Sequence, residues 1–220
     1  MRVVLVHGTA TDGRVWAGVA AALGAGYELD CPTRPQSGDL DTEIAFLAPR
    51  CAGAVVAGVS GGATLGLELA ARGVPFVAAV LHEPAAGSLV PGLLAPVAAA
   101  FADGGTGPFA RTLYGDSWHA GRTTADPGTI AAELRMFRAF EPRPLPAGIA
   151  ERVLLTVGAD SPAPRYRADA ALTELLGVRS RVAPGAHALH LDHPAVLAAL
   201  IREAAGQEQP LPRPGDRPSA

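Results

Sequence analysis

The chain alternates between short apolar runs and longer segments whose apolar residues recur at helical spacing. Runs of four to eight apolar residues are typical of buried strands, and a recurrence every three to four residues is typical of helices. The strand-like runs are residues 3–6, 27–29, 54–57, 76–81, 153–157 and 179–182. The helix-like segments are residues 15–23, 41–48, 63–71, 166–176 and 194–204. This order predicts an α/β fold, with a mostly parallel sheet of about six strands flanked by helices.

One segment, from about residue 85 to residue 148, breaks this alternation and is rich in proline. Within it, Asp126 followed by Pro127 is typical of a helix start, because aspartate caps helices and proline fits the first helical position. Apolar residues then follow at helical spacing, namely Ile130, Leu134 and Phe137. We therefore predict a mostly helical lid insertion over the carboxyl edge of the sheet.

The length of 220 residues suits one large domain with a substantial core. We place this domain at residues 1–205, with the lid inside it. The remaining residues, 206–220, are polar and proline-rich. Such a composition cannot bury enough apolar surface to offset the entropy of ordering, so a disordered tail is predicted.

Charge and composition exclude several classes of partner. The formal net charge is −3, and the 18 basic residues, all arginine, form no basic cluster, so we expect no nucleic-acid partner. No apolar run approaches the roughly 20 residues of a membrane span, so we expect no membrane partner. The two cysteines make no disulfide framework, which favours a reducing cytoplasmic location. The expected partner is a small-molecule substrate, and the oligomeric state is left open.

The most informative pattern is Gly-Val-Ser-Gly-Gly at residues 58–62, which fits G-x-S-x-G. It follows an apolar run and precedes a helix-like segment, so its context is strand, sharp turn and helix. In that context the pattern indicates a nucleophile elbow, where a serine hydroxyl is exposed above the sheet. Ser60 is the predicted catalytic nucleophile.

Two backbone amides are candidates for an oxyanion hole. The first strand ends in His7-Gly8-Thr9, where the backbone can turn its N–H groups toward a ligand. Acyl transfer needs such donors where negative charge develops, and they are commonly amides, one of them following the nucleophile. We therefore expect the amides of Thr9 and Gly61 to serve, and the ring of His7 to brace the loop.

The catalytic base is expected near the end of the chain. His187 follows the last strand-like run, which returns it to the same sheet edge as Ser60. His190 and His193 are nearby competitors, and with Asp192 they also suggest a metal site. Catalytic zinc usually takes three ligands at an open site, and no strong ligand set occurs elsewhere in the sequence. We predict neither a metal nor another cofactor.

The acid that orients the base has two candidates. Asp160 follows the penultimate strand-like run, and Glu83 follows the run after the elbow. Both runs end at the edge of the sheet where Ser60 lies, so either carboxylate could reach His187. Asp160 is preferred because its strand directly precedes the histidine strand, and Glu83 is the alternative.

Together these residues resemble the α/β-hydrolase superfamily, and the resemblance covers nearly everything from residue 3 to residue 204. It is carried by residues 4–8, 15–16, 58–62, 158–162 and 185–187, with Asp192 and Pro194. It implies Ser60 as nucleophile, His187 as base and the Thr9 and Gly61 amides as oxyanion hole. The chain starts directly at the His-Gly strand, so a six-stranded core is expected. Ser161 stands at the customary place of the acid, one residue after Asp160. This departure strengthens Glu83 as the alternative acid.

The leading functional prediction is a serine hydrolase that cleaves a carboxylic ester or thioester of a small apolar substrate through an acyl-enzyme. The same fold hosts other chemistry. A lyase or other non-hydrolytic catalyst acting on a natural-product intermediate is therefore an alternative. A ligand-binding protein that kept the fold is another.

Overall fold

A computed structural model describes residues 1–206, so the tail predicted from residue 206 lies almost wholly outside the described residues. One parallel sheet contains six strands in the order β2-β1-β3-β4-β5-β6. The strands are β1 (Arg2–Val6), β2 (Glu28–Asp30), β3 (Val55–Val59), β4 (Ala78–His82), β5 (Val153–Gly158) and β6 (Arg179–Ala183). The predicted fold class and the six-stranded core are confirmed.

Helices connect and cover the strands. They are α1 (Ala17–Leu23), α2 (Leu40–Cys51), α3 (Gly61–Ala71), α4 (Ala95–Gly104), α5 (Thr106–Tyr114), α6 (Pro127–Ala139), α7 (Ala163–Leu176), α8 (Leu189–Asp192) and α9 (Pro194–Ala204). Short 3₁₀ turns lie between them, the first at Gly13–Trp16. In the part of the chain that the structure describes, no helix has both the length and the apolar character to cross a membrane.

The sheet has a hydrophobic core on each face. Side chains of a strand alternate between the two faces, so Val4 and Val6 join one core while Val3 and Leu5 join the other. Helices α2, α3 and α7 complete the first core. Helices α1 and α9 complete the second. The burial of both faces explains why the central strands are continuous apolar runs.

Helix α2 extends further than the sequence predicted. The predicted segment ended at Ala48, and the next residue, Pro49, lacks a backbone donor, yet the helix continues to Cys51. Cys51 is fully buried and lies one turn after Leu47, which is equally buried. Packing of this face against the core therefore outweighs the loss of one hydrogen bond in the last turn.

The segment predicted as a lid contains α4, α5 and α6 together with a small core of its own. As predicted, Asp126 caps α6: its carboxylate accepts a hydrogen bond from Thr129 N–H at 2.9 Å, and Pro127 is the first helical residue. Two aromatic side chains tie the segment to the loop after β1. Tyr114 donates to the Thr9 carbonyl at 2.9 Å, and Trp118 donates to the Ala10 carbonyl at 2.8 Å.

The close approach of β1 and α3 leads to the first prediction. A Cβ at Gly62 would lie 1.9 Å from the Val6 carbonyl oxygen, and that backbone cannot move without disturbing β1. Gly62→Ala should cost about 3 kcal/mol or more of unfolding free energy through overpacking. Thermal melting should then fall by roughly 6 °C or more.

The matched control is Gly26→Ala, where an added Cβ meets nothing within 4 Å. Circular dichroism melting of both variants beside the parent measures the difference. Equal melting temperatures for the two variants would mean that β1 and α3 are not in close contact.

Candidate active site

Ser60 lies in a sharp turn between β3 and α3. Its backbone has φ 59° and ψ −124°, a conformation that non-glycine residues rarely adopt. Such strain costs about 1–3 kcal/mol and persists only where surrounding structure holds it. Here the Ser60 N–H donates to the His82 carbonyl at 2.9 Å, which fixes the turn to β4. The geometry is that of a nucleophile elbow.

His187 and Glu83 form a hydrogen-bonded pair at the same edge of the sheet. Glu83 directly follows β4, and His187 lies in the loop after β6. The distance between His187 Nδ1 and Glu83 Oε2 is 2.8 Å, and both residues are buried. A carboxylate on Nδ1 orients the imidazole and leaves Nε2 to exchange a proton, as in a serine-histidine-acid triad.

The Glu83 carboxylate has further donors. Gly158 N–H lies 2.9 Å from Oε1, and the Ser161 hydroxyl also donates to Oε1. Arg165 Nε lies 3.4 Å from Oε2. Burial alone would raise the pKa of Glu83, but the hydrogen bond with His187 and the positive charge of Arg165 hold it well below its ordinary value. The carboxyl is therefore ionised at any pH at which the protein would work.

Asp160 occupies a different environment. Asp160 is exposed, and its backbone N–H donates to the Gly185 carbonyl at 2.9 Å. Over residues 1–206, no hydrogen bond or ion pair joins Asp160 to His187. The geometry therefore favours Glu83 over Asp160 as the orienting acid. Ser161, at the customary place of the acid, instead donates to Glu83.

His187 is enclosed by aromatic and charged neighbours. The Tyr114 ring stacks on the imidazole, with ring centroids 5.8 Å apart and an interplanar angle of 27°. Burial and the positive charge of Arg165 lower the pKa of His187, and Glu83 opposes this shift. The imidazole is therefore neutral at pH 7 and able to accept a proton.

The two amides expected to hold an oxyanion lie beside Ser60. Thr9 and Gly61 line the same small cavity as the nucleophile. Gly61 is the first residue of α3, so its N–H has no acceptor within the helix, and the positive end of the helix dipole lies there. A Cβ at Gly61 would lie 2.6 Å from the Phe137 ring, which explains the need for glycine.

A buried charge network that the sequence analysis missed supports the loop after β1. Arg34 donates to Glu43 at 2.8 Å and to Glu133, on the lid helix α6, at 2.7 Å. Its Nε donates to the His7 carbonyl at 3.0 Å. All three charged side chains are fully buried. No sequence pattern marks Arg34 among the other arginines, because its partners lie on separate elements.

The ring of His7 braces the loop, as expected. Nδ1 lies 2.8 Å from the Gly8 carbonyl and Nε2 accepts a hydrogen bond from Arg34 N–H at 3.1 Å. This pattern requires a neutral ring with its proton on Nδ1. Burial and the Arg34 charge lower the pKa of His7 well below its usual value, which keeps the ring neutral.

The histidines near the last helix show no metal-binding arrangement. Among residues 1–206, no group of three or more His, Cys, Asp or Glu side chains is placed to hold a metal ion. His190 packs against the Trp16 ring, with centroids 5.0 Å apart, and meets the Tyr114 ring edge-on at 5.9 Å. Burial lowers the pKa of His190 to about 3, so this side chain is a neutral part of the core.

The parallel sheet, the serine elbow and the histidine-carboxylate pair at its carboxyl edge define a hydrolase-type fold. The chain belongs to the alpha/beta hydrolase family, whose model matches residues 3–200. A comparison with curated protein sequences finds no match.

Solved structures share the fold at low sequence identity. Carboxylesterase CesB (YbfK) from Bacillus subtilis is 17% identical, with a TM-score of 0.64 over 93% of this chain and 83% of that one. MenH from S. aureus is 16% identical, with a TM-score of 0.69 over 94% of each chain. The type II thioesterase BorB from the borrelidin biosynthetic cluster is 21% identical, with a TM-score of 0.63 over 92% of this chain and 91% of that one.

The two candidate acids can be separated by parallel substitution. Glu83→Gln should lower kcat by about 10⁴, because the imidazole loses its orienting partner and its counter-charge. Asp160→Asn, the matched control, should retain near-parental kcat. Both variants are assayed at saturating ester, with circular dichroism to check folding. An inactive Asp160→Asn beside an active Glu83→Gln would show that Asp160 is the acid that orients His187.

The contact between Arg165 and Glu83 predicts a shift in pH dependence. With His187 as the predicted base, activity requires the neutral imidazole, so kcat/KM should rise with pH as the imidazole loses its proton. The Arg165 charge lowers the pKa of His187, so Arg165→Gln should move the acidic limb of the profile to higher pH. Arg167→Gln, an exposed position on the same helix, is the control and should leave the limb in place. A movement to lower pH would contradict the assigned electrostatics.

Proposed function

We propose that the protein is a serine hydrolase that cleaves a carboxylic ester or thioester through an acyl-enzyme. The observation that carries this proposal is the strained Ser60 elbow, beside which the buried His187–Glu83 pair lies at the same sheet edge. Nucleophile, base, acid and amide donors each have a candidate with a suitable neighbour. The family of the chain and the esterase and thioesterase among its structural neighbours agree with this chemistry.

In the first half of the reaction, Ser60 Oγ attacks the substrate carbonyl carbon while His187 Nε2 takes the hydroxyl proton. The carbonyl oxygen becomes an oxyanion, and the amides of Thr9 and Gly61 donate to it, each worth about 3 kcal/mol in the transition state. Glu83 stabilises the imidazolium that forms. His187 then gives the proton to the leaving oxygen or sulfur as its bond to carbon breaks.

In the second half, water replaces the leaving group. His187 takes a proton from water as the hydroxide attacks the acyl carbon, and the same amides hold the second oxyanion. Collapse returns the proton to Ser60 Oγ and releases the carboxylic acid.

The Nε2 atom of His187 is free to take part in these proton transfers. This atom is buried and has no hydrogen-bond partner within residues 1–206. Catalytic hydrogen bonds are often loose without substrate and tighten in the complex. We therefore expect the bond between Ser60 and His187 to form when substrate binds.

The cavity beside Ser60 supports an apolar substrate. Its walls are mostly aliphatic and aromatic side chains of the lid, including Val97, Phe109 and Phe137. Closing such a wall over the reacting carbonyl excludes water and strengthens the amide hydrogen bonds. The apolar lining is the reason to assign a small apolar acyl compound rather than a sugar or a peptide.

Covalent labelling tests the proposal directly. A fluorophosphonate should modify Ser60, detected by peptide mass spectrometry. Ser60→Ala should abolish labelling and lower ester turnover by about four to six orders of magnitude. Ser180→Ala, an exposed serine on β6, is the control and should label normally. Labelling at another serine, or full turnover by Ser60→Ala, would refute the proposal.

A further inference from the structure

Two unequal cavities adjoin the reacting residues. The smaller, of about 30 Å³, is lined by Thr9, Ser60 and Gly61 and by apolar lid side chains. The larger, of about 450 Å³, is lined by His187 and its neighbours. Both cavities share walls, namely Glu83, Val97, Leu113 and Arg165. A substrate bound at Ser60 could therefore extend into both.

The chemistry assigns a part of the substrate to each cavity. The acyl carbon bonds to Ser60 and its oxygen faces the amides of Thr9 and Gly61, all of which belong to the smaller cavity. The leaving group must receive its proton from His187, which belongs to the larger cavity. The acyl chain therefore lies in the smaller space and the leaving group in the larger.

We propose that the protein is selective for esters that join a short acyl group to a large, mostly apolar alcohol or thiol. This inference rests on the proposed hydrolase function. The larger volume lies within the range of ligand pockets, about 300–1,000 Å³, and the smaller is far below it. The ratio of the two volumes fixes which half of the ester can be bulky.

The walls of the larger cavity indicate the character of the leaving group. Most of its lining is apolar or aromatic, including Pro96, Leu113, Tyr114, Pro162 and Pro164. An aromatic or alicyclic alcohol suits such a surface because its burial releases water from apolar area on both partners. Arg111, Thr112 and Asp192 also line this cavity, so the leaving group that we propose is mostly and not wholly apolar.

The smaller cavity is held to its size by α6. Leu134 and Phe137 of this helix form part of its wall. Glu133, adjacent to Leu134 and one turn before Phe137, is fixed by Arg34 at 2.7 Å and by Gln36 at 3.1 Å. Because these contacts are buried, the helix cannot retreat from Ser60 without breaking them. The buried contacts of Glu133 therefore set the limit on acyl length.

Two isomeric esters test the assignment. In 2-(1-naphthyl)ethyl acetate the bulk lies in the alcohol, and in ethyl 1-naphthylacetate it lies in the acyl group. Both leaving groups are simple primary alcohols, so intrinsic reactivity is similar. We expect kcat/KM for the acetate to be higher by about tenfold or more, the discrimination that a tight apolar pocket provides. Equal values, or a preference for the naphthylacetate, would overturn the proposal.

Substitutions in the wall of each cavity test which cavity holds the acyl group and which holds the leaving group. Phe137→Ala should raise kcat/KM for ethyl 1-naphthylacetate relative to the acetate, and Leu134→Ala serves in its place where the first variant is unstable. Thr112→Phe, on the rim of the larger cavity, should lower the rate for naphthylethyl acetate more than that for ethyl acetate. Arg135→Gln, exposed on α6, is the control. An unchanged ratio in both wall variants would overturn the assignment of cavities.

Fluorophosphonate labelling of the same preparations separates this inference from the proposed function. Labelled protein that hydrolyses both isomers equally would refute the substrate assignment and leave the hydrolase intact. Protein that neither labels nor cleaves any ester would refute both.

Discussion

The buried carboxylate of Glu83 connects three separate parts of the site. It binds His187 from the loop after β6, Gly158 and Ser161 at the end of β5, and Arg165 on α7. A buried charge is tolerated only where paired and hydrogen-bonded, and removing one partner of such a pair typically costs about 3–5 kcal/mol. The orientation of His187 and the packing of three strand ends therefore depend on one group.

A second buried charge network holds the other half of the site. Arg34 joins α2, the loop after β1 and the lid helix α6 through Glu43, His7 and Glu133. The loop carries the Thr9 amide, and α6 carries Phe137, which packs against Gly61. The positions of the proposed oxyanion donors and the size of the proposed acyl cavity thus depend on the same buried contacts of Arg34.

The placement of Ser161 shows how the site differs from the expected pattern. A serine at the customary place of the acid cannot supply the negative charge that an imidazolium needs. Here its hydroxyl donates to Glu83, which reaches His187 from the neighbouring strand. The carboxylate follows β4 and not β5, the strand of the customary acid, but it still binds Nδ1 of His187. The arrangement is recognised by geometry and not by sequence order.

The sequence by itself determined the α/β fold, the elbow at Ser60 and the position of His187, because these depend on local periodicity and on short motifs read along one segment. Only the tertiary structure shows that Glu83 and not Asp160 is hydrogen-bonded to His187, since both residues follow strands that end at the same edge. The contacts of Arg34 and Tyr114 also escaped the sequence analysis. Their roles come from contacts with residues up to 105 positions away, and no local pattern encodes which buried partner such a side chain will meet.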